Sequence, residues 1–263
     1  MNLQNINQFV LWPCSIKRLQ CFPIAFVLAV AVNCYAASTD AWSSSTTPSD
    51  AYVNGLLKDA RRALSNGEYN LAIARCTTVI NGHRSFFVTA YCLRSEAYRR
   101  KHQDREALSD AESAVRTEPS NPMGYIPRAT LYAQSGNYER AAADLDRAIR
   151  LAPRWAVALD LVAWFKATCP DSRFRDGKKA VELATKACAV MAWRDPNCLD
   201  TLAASYAECG DFNQALKYQN QAIAIKSPDY SAKETAWLAE DMQKSLRSFE
   251  NRKPFRDDFK WHH

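Results

Sequence analysis

The apolar residues of this chain are spaced for helices that bury one face, and no segment shows the strict alternation of a strand. Short polar turns with a glycine separate the helical segments, for example Asn66-Gly67, Ser135-Gly136-Asn137 and Cys209-Gly210-Asp211. A last segment, about residues 231–250, places its apolar side chains on one helix face: Trp237, Leu238, Met242, Leu246 and Phe249. The pattern predicts helical pairs joined by tight turns and closed by one further helix.

A fixed period connects two of these pairs. Seven residues return identically thirty-four positions later: Tyr91, Arg94, Tyr98, Ala107, Asp110, Ala114 and Pro119 recur as Tyr125, Arg128, Tyr132, Ala141, Asp144, Ala148 and Pro153. Such a period, with small residues at set places and a proline at the end, is typical of stacked helical hairpins rather than of a closed catalytic domain. We interpret these identities as mostly packing positions, where alanines let helices approach closely.

The turns divide the chain into five repeats and a closing segment. The predicted repeats cover about residues 53–86, 87–120, 121–154, 155–194 and 195–228. The fourth is longer, and its excess lies between Cys169 and Gly177, where Pro170 ends one helix and Asp176 or a neighbour can cap the next. Residues 229–263 are expected to form a capping helix and a tail, which open-ended arrays need to cover their last hairpin.

The turn glycine, the aromatic residue after it, the paired alanines and the terminal proline resemble the tetratricopeptide repeat from about Val53 to Pro228. The resemblance implies an all-α, right-handed superhelical solenoid of about five hairpins with a C-terminal capping helix. A narrower likeness is to a group of mostly uncharacterised exported bacterial proteins of this family. It is carried by Ala167-Thr168-Cys169-Pro170-Asp171, Arg175-Asp176-Gly177, Leu199-Asp200-Thr201-Leu202-Ala203-Ala204, Ala207-Glu208-Cys209-Gly210-Asp211-Phe212 and Lys253-Pro254-Phe255-Arg256.

The resemblance also implies a binding surface, because tetratricopeptide arrays generally hold peptides or proteins on the concave face lined by each pair's first helix. The candidate binding residues on that face are Lys58, Arg61, Glu96, Arg99, Arg100, Met123, Thr130 and Gln134. Four of them are cationic, which favours an acidic or carboxylate-bearing partner. The alternative is that these charges only solvate a helix face.

No chemistry is predicted for this chain. The scattered His and Cys residues lack the spacing of a zinc site, and no phosphate-binding glycine loop or nucleophile elbow occurs in the sequence. We therefore expect no catalytic residue, no metal and no cofactor. The formal charge of +6 is too mild to indicate nucleic acid without a concentrated patch.

Residues 1–36 resemble an export signal, with Lys17 and Arg18 before an apolar run from Cys21 to Val32 and small residues up to Ala36. That run is about twelve residues, whereas a membrane span needs about twenty. Cleavage near Ala36 would leave a periplasmic or secreted protein with no membrane insertion, and an uncleaved membrane anchor is the alternative. A Ser- and Thr-rich linker, residues 37–52, is expected to follow as a flexible spacer.

These observations favour a non-enzymatic scaffold or adaptor that binds a peptide or protein. One alternative is an RNA-binding helical repeat, since pentatricopeptide arrays use a nearly equal period; the turn glycines, alanine pairs and export signal stand against it. A membrane-tethered assembly factor with an uncleaved N-terminal segment is another. The sequence leaves open the oligomeric state and the disulfide state of Cys76, Cys92, Cys169, Cys188, Cys198 and Cys209.

Overall fold

The computed structural model describes residues 48–82, 86–225 and 232–259, and within these ranges the regular structure is entirely helical. The α-helices are α1 (Pro48–Ser65), α2 (Tyr69–Gly82), α3 (Phe87–Arg100), α4 (Asp104–Thr117), α5 (Tyr125–Gln134), α6 (Tyr138–Leu151), α7 (Ala156–Thr168), α8 (Gly177–Val190), α9 (Pro196–Glu208), α10 (Phe212–Ala224) and α11 (Ala232–Glu250). Short 3-10 turns precede α5 and α8, at Pro122–Gly124 and Ser172–Phe174. The predicted all-α fold class is confirmed.

The described residues form two compact bodies that divide between Pro153 and Arg154. In the N-terminal body, α1 to α6, each helix packs against the next one in the chain, and α1 also reaches α3. In the C-terminal body, α7 to α11, consecutive helices again pack together, and α7 also lies against α9. Both bodies are therefore built as antiparallel hairpins in which the first helices of successive pairs are neighbours.

Small residues hold these hairpins together, as the period predicted. The repeated alanines are fully or almost fully buried: Ala107, Ala114, Ala141, Ala148, Ala215 and Ala222. A methyl group at these places lets two helix backbones approach, and there is no room for a larger side chain. Met242 and Phe249 of α11 are also buried, and Gln219 of α10 donates its amide N–H to the carbonyl oxygen of Met242 at 3.0 Å.

The turns use the backbone conformations that the sequence indicated. Gly67, Gly136 and Gly210 have φ values of 79°, 76° and 80°, in the left-handed region that favours glycine. His102 takes the same place in the second repeat with φ of 57°, although it carries a Cβ. Asp176 caps α8 as predicted, since its carboxylate accepts a hydrogen bond from the backbone N–H of Lys179 at 3.0 Å.

Two features differ from or refine the sequence expectations. Helix α1 begins at Pro48, so the last five residues of the predicted 37–52 linker are helical rather than a flexible spacer. A proline is well suited to the first turn of a helix, which explains this early start. Helix α5 has ten residues, fewer than the first helices of its neighbours in the same body, and Pro127 lies in its first turn, where a missing backbone N–H is tolerated.

The predicted export signal, residues 1–36, and residues 37–47 of the predicted linker lie outside the described residues. Among the helices that the structure does describe, none combines the length and apolarity needed to cross a bilayer.

Candidate functional site

Two of the repeated identities form an ion pair in the second repeat. The guanidinium of Arg94 on α3 donates two hydrogen bonds to the carboxylate of Asp110 on α4, at 2.7 and 2.8 Å. The rings of Tyr91 and Tyr98 lie 5.8 and 5.9 Å from the same guanidinium carbon. The hydrogen bonds to Asp110 raise the pKa of Arg94, in spite of its partial burial.

The third repeat builds the same cluster from the same residues. Arg128 on α5 donates two hydrogen bonds of 2.7 Å to Asp144 on α6, and Tyr125 and Tyr132 lie 5.6 and 6.0 Å from its guanidinium carbon. The interpretation of these identities as mostly packing positions did not include the pairing of Arg with Asp, which the structure adds. Arg and Asp are sixteen residues apart and lie on the two helices of one hairpin, so the ion pair joins its first helix to its second.

Glu96, Arg99 and Arg100 were predicted to line the binding face, and the structure pairs them with one another. Arg99 donates two hydrogen bonds of 2.7 Å to the Glu96 carboxylate, and Arg100 donates a third of 2.6 Å. Glu96 and Arg99 are 0% and 1% exposed. Burial lowers the pKa of Arg99, and Glu96 opposes that shift.

This pairing changes the predicted charge of the face. One carboxylate and two guanidinium groups within a single helix carry one net positive charge rather than two unopposed ones. Arg99 also sits too deep for its charge to be replaced without disturbing the fold, because a carboxylate at this place would be buried against Glu96. No direct sign of this burial exists in the sequence, since the i, i+3 and i, i+4 spacing of these charges is equally common on solvated helices.

Lys58 and Arg61 lie on α1 and are the two predicted cations that form no ion pair with the described residues. Lys58 is exposed, and Arg61 is largely buried. The Arg61 Nε atom is buried without a hydrogen-bond acceptor, and no carboxylate of the described residues lies within ion-pair distance of its guanidinium. Burial accordingly lowers the pKa of Arg61.

The other predicted contact residues lie in the third repeat. Met123 and Thr130 are 4% and 5% exposed, and Gln134 is partly exposed. The backbone carbonyl of Met123 is contacted by the Cys92 thiol at 3.6 Å. The Gln134 amide nitrogen is buried without a partner among the described residues. These three side chains are uncharged, and the Gln134 amide is the one among them with an unsatisfied hydrogen-bond donor.

The C-terminal body contains a contact that the sequence did not predict. Residues 253–259, which follow α11, lie against the C-terminal ends of α7 and α9. Trp164 on α7 donates its indole N–H to the carboxylate of Asp257 at 2.8 Å, and Arg256 forms a 2.6 Å ion pair with Glu208 at the end of α9. The available sequence signal was Lys253-Pro254-Phe255-Arg256, which carries a family likeness but does not indicate a docking partner.

The described part of the chain contains neither a metal-binding cluster nor a disulfide bond. No group of His, Cys, Asp and Glu residues there is arranged to hold a metal ion, and no disulfide joins any two of the six cysteines it contains. Burial raises the pKa of Cys76 to about 12 and that of Cys169 to about 11, which leaves both as neutral thiols at physiological pH.

Comparisons with known proteins agree with this architecture. Residues 125–154 and 197–229 match the family model described as tetratricopeptide repeat. A curated relative is the tetratricopeptide repeat and J domain-containing co-chaperone DNJ1 of Fusarium oxysporum f. sp. lycopersici, 28% identical over 207 residues. The alignment covers 78% of this chain but only 39% of DNJ1, so the chain spans about two fifths of that relative.

A solved structure shares the fold. The crystal structure of a thermophilic TPR protein from Thermus thermophilus superposes with a TM-score of 0.57 and 17% sequence identity. The superposition covers 74% of this chain and 99% of the other. Agreement at this level of identity concerns the helical repeat architecture and not the ligand.

Proposed function

Because the chain belongs to the tetratricopeptide repeat proteins, we propose that it is a non-enzymatic scaffold whose first helices bind an acidic segment of a partner protein. The proposed contact surface, which we name the α1 cation site, consists of Lys58 and Arg61. A protein-interaction role is in keeping with the repeat family and with the co-chaperone relative. The acidic character of the partner rests on the residues of this chain.

The observation that carries the proposal is the largely buried Arg61 guanidinium without a carboxylate. Three other buried or half-buried arginines of the same body are neutralised: Arg94 by Asp110, Arg128 by Asp144 and Arg99 by Glu96. Arg75 on α2 also has a buried Nε atom without an acceptor among the described residues, but of the two only Arg61 lies on a first helix. Removing a cation from water without pairing it costs free energy, which an incoming carboxylate can recover. Arginine suits this role because its planar donors match a carboxylate in a bidentate geometry.

Lys58 strengthens the same site from the solvent side. It lies three residues before Arg61 on one helix face, and it is exposed. An exposed cation contributes mostly to the rate of encounter and to salt sensitivity, whereas a desolvated one holds the bound state. We therefore assign capture of an acidic segment to Lys58 and its anchoring to Arg61.

The experiment is titration of the full chain with a fluorescently labelled octaglutamate peptide, followed by anisotropy at low and at physiological salt. Arg61→Gln should weaken binding about tenfold, which corresponds to about 1.4 kcal/mol, because the anchoring charge is lost. Lys58→Gln should weaken it less and should reduce the salt dependence. An octaglutamine peptide of the same length should not bind.

The matched control is Arg62→Gln, which removes the same charge from the neighbouring position of α1. Arg62 is exposed and already pairs with Asp59 at 2.8 Å, so its loss should change the affinity less than about twofold. Equal weakening by Arg61→Gln and Arg62→Gln would mean that only net charge matters. Failure of the octaglutamate peptide to bind the wild-type chain would contradict the proposal.

A further inference from the structure

The segment after α11 leaves the helix through a left-handed turn. Arg252 has φ of 52°, and the backbone N–H of Lys253 donates to the carbonyl oxygen of Ser248 at 2.9 Å. The Ser248 hydroxyl in turn donates to the carbonyl oxygen of Lys253 at 2.9 Å. These bonds end the helix and release residues 253–259, here named the tail segment, in a nonhelical conformation.

The tail segment is held by backbone as well as side-chain bonds. The N–H of Asp257 donates to the carbonyl oxygen of Thr168 at 3.1 Å, and its carboxylate accepts the 2.8 Å bond from Trp164. Arg256 donates to the carbonyl oxygen of Ala167 at 3.3 Å while it pairs with Glu208. The carbonyls at the end of α7 have no acceptor role inside the helix, so a passing peptide can use them.

Aromatic contacts lie on both sides of these polar bonds. The ring of Phe255 lies 5.9 Å from that of Trp164, and the ring of Phe259 stacks on Phe165 at 5.8 Å. Phe259 and Asp257 are 4% and 7% exposed. The tail segment therefore makes its contacts through four of its own residues, in the order aromatic, cation, aspartate and second aromatic.

The contacted positions are equivalent to the predicted binding positions of the N-terminal body. Trp164 follows Thr130 by one thirty-four-residue period, and Thr168 follows Gln134 by the same interval. Glu208 follows Gln134 by seventy-four residues, the interval that also separates Ala141 from Ala215. The tail segment thus occupies the surface on which the first helices of the fourth and fifth repeats would hold a partner.

We propose that the surface formed by Trp164, Thr168 and Glu208 is a second peptide-binding site, for which the tail segment is a displaceable internal ligand. Its external ligand is an extended peptide that presents an aromatic residue, a cation and an aspartate in succession, as Phe255-Arg256-Asp257 does. This inference rests on the proposed binding role of the first-helix surface. It concerns a different site and a different ligand from the α1 cation site.

Two features favour displacement of the tail segment by an external peptide over its permanent attachment to this surface. The tail segment carries Phe259 with φ of 55°, a left-handed conformation that is strained for a residue with a Cβ and that an external peptide need not adopt. Its attachment through a short turn gives the segment a high effective concentration, which explains occupancy without requiring high intrinsic affinity. A peptide with the same pattern can compete once its concentration or affinity is sufficient.

The test uses the full chain and a labelled synthetic peptide that copies residues 251–259. Phe255→Ala combined with Arg256→Ala should release the tail segment, so that the peptide binds at least about tenfold more tightly than it does to the wild-type chain. The milder Asp257→Asn should give an intermediate gain, because it weakens the bond to Trp164 and leaves the aromatic contacts in place. Glu250→Ala, at the exposed end of α11, is the matched control and should leave the affinity unchanged.

Each other outcome overturns the inference. Equal affinity for the wild-type chain and the released variants would show that the surface does not accept the sequence in trans. Loss of the helical circular dichroism signal or of the melting transition in these variants would show that the tail segment is part of the fold. Octaglutamate binding is measured on the same variants, so failure at this surface is distinguishable from failure at the α1 cation site.

Discussion

The two bodies of the molecule use equivalent hairpin positions in different ways. In the N-terminal body the positions that join first and second helices hold the ion pairs Arg94–Asp110 and Arg128–Asp144. In the C-terminal body the equivalent positions hold apolar or aromatic pairs: Val162 with Leu183, and Leu202 with Tyr218. The same helical hairpin therefore forms with an ion pair or with apolar and aromatic residues at these positions, and the repeated Arg and Asp residues are not required by the fold.

The bodies differ more at the first-helix surface. Along the N-terminal body, one equivalent position holds Arg61, Glu96 and Thr130, and the next repeat places Trp164 there. Arg61 lacks a carboxylate among the described residues, whereas Trp164 is covered by the tail segment. The scaffold is thus common to both bodies, and the residues that vary between repeats give each body its own ligand chemistry.

The largest effect is expected where the scaffold is the same in both bodies. Ala141→Trp and Ala215→Trp should each cost about 3 kcal/mol of unfolding free energy, because both alanines are fully buried between helices. Urea denaturation followed by circular dichroism measures this loss. Ala143→Trp, on the exposed side of α6, is the control and should change the midpoint little. A tolerated tryptophan at one of the buried positions would mean that the two bodies do not share one packing scheme.

An intermediate effect on stability is expected at the ion pair between Arg128 and Asp144. Arg128→Leu should cost about 2 kcal/mol, because it leaves the mostly buried Asp144 carboxylate without its guanidinium. Arg128→Leu combined with Asp144→Leu imitates the apolar residues that the fourth repeat has at these positions and should return to within about 1 kcal/mol of the wild type. Urea denaturation followed by circular dichroism compares the unfolding free energies of the single and the double variant. A double variant as unstable as the single one would show that the ion pair is required for the N-terminal body to fold.

The smallest effect concerns the turns. His102 has a left-handed backbone where the equivalent turn of the fifth repeat has Gly210. His102→Gly should stabilise the N-terminal body by about 1 kcal/mol, and Gly210→His should destabilise the C-terminal body by a similar amount. Differential scanning calorimetry of the two variants compares them directly. Destabilisation by His102→Gly would indicate that the His102 side chain contributes more than its backbone strain costs.

The sequence predicted the elements that depend on local patterns and on the period. Buried alanines, turn glycines and the Asp176 cap follow from residue type and spacing, so they could be predicted from the sequence alone. Pro48 was assigned to the linker because its neighbours are rich in serine and threonine, although those residues also suit a helix start. Local composition did not distinguish these two outcomes.

The site was harder to predict, because charge pairing and tail docking depend on contacts between distant residues. Arg99 and Arg61 are equally good candidates in the sequence, and only the structure shows that Glu96 neutralises the first. The bond between Trp164 and Asp257 joins residues ninety-three positions apart, outside the repeat period. No periodic signal could have indicated it.

The central claim is that ligand recognition lies in first-helix residues that differ between repeats, and one comparison tests it most directly. Arg61→Gln and Arg62→Gln have the same net charge and lie side by side on α1, so the ratio of their dissociation constants for octaglutamate isolates position from charge. We predict a ratio of about ten, with Arg62→Gln close to the wild type. A ratio near one at both salt concentrations would contradict the claim.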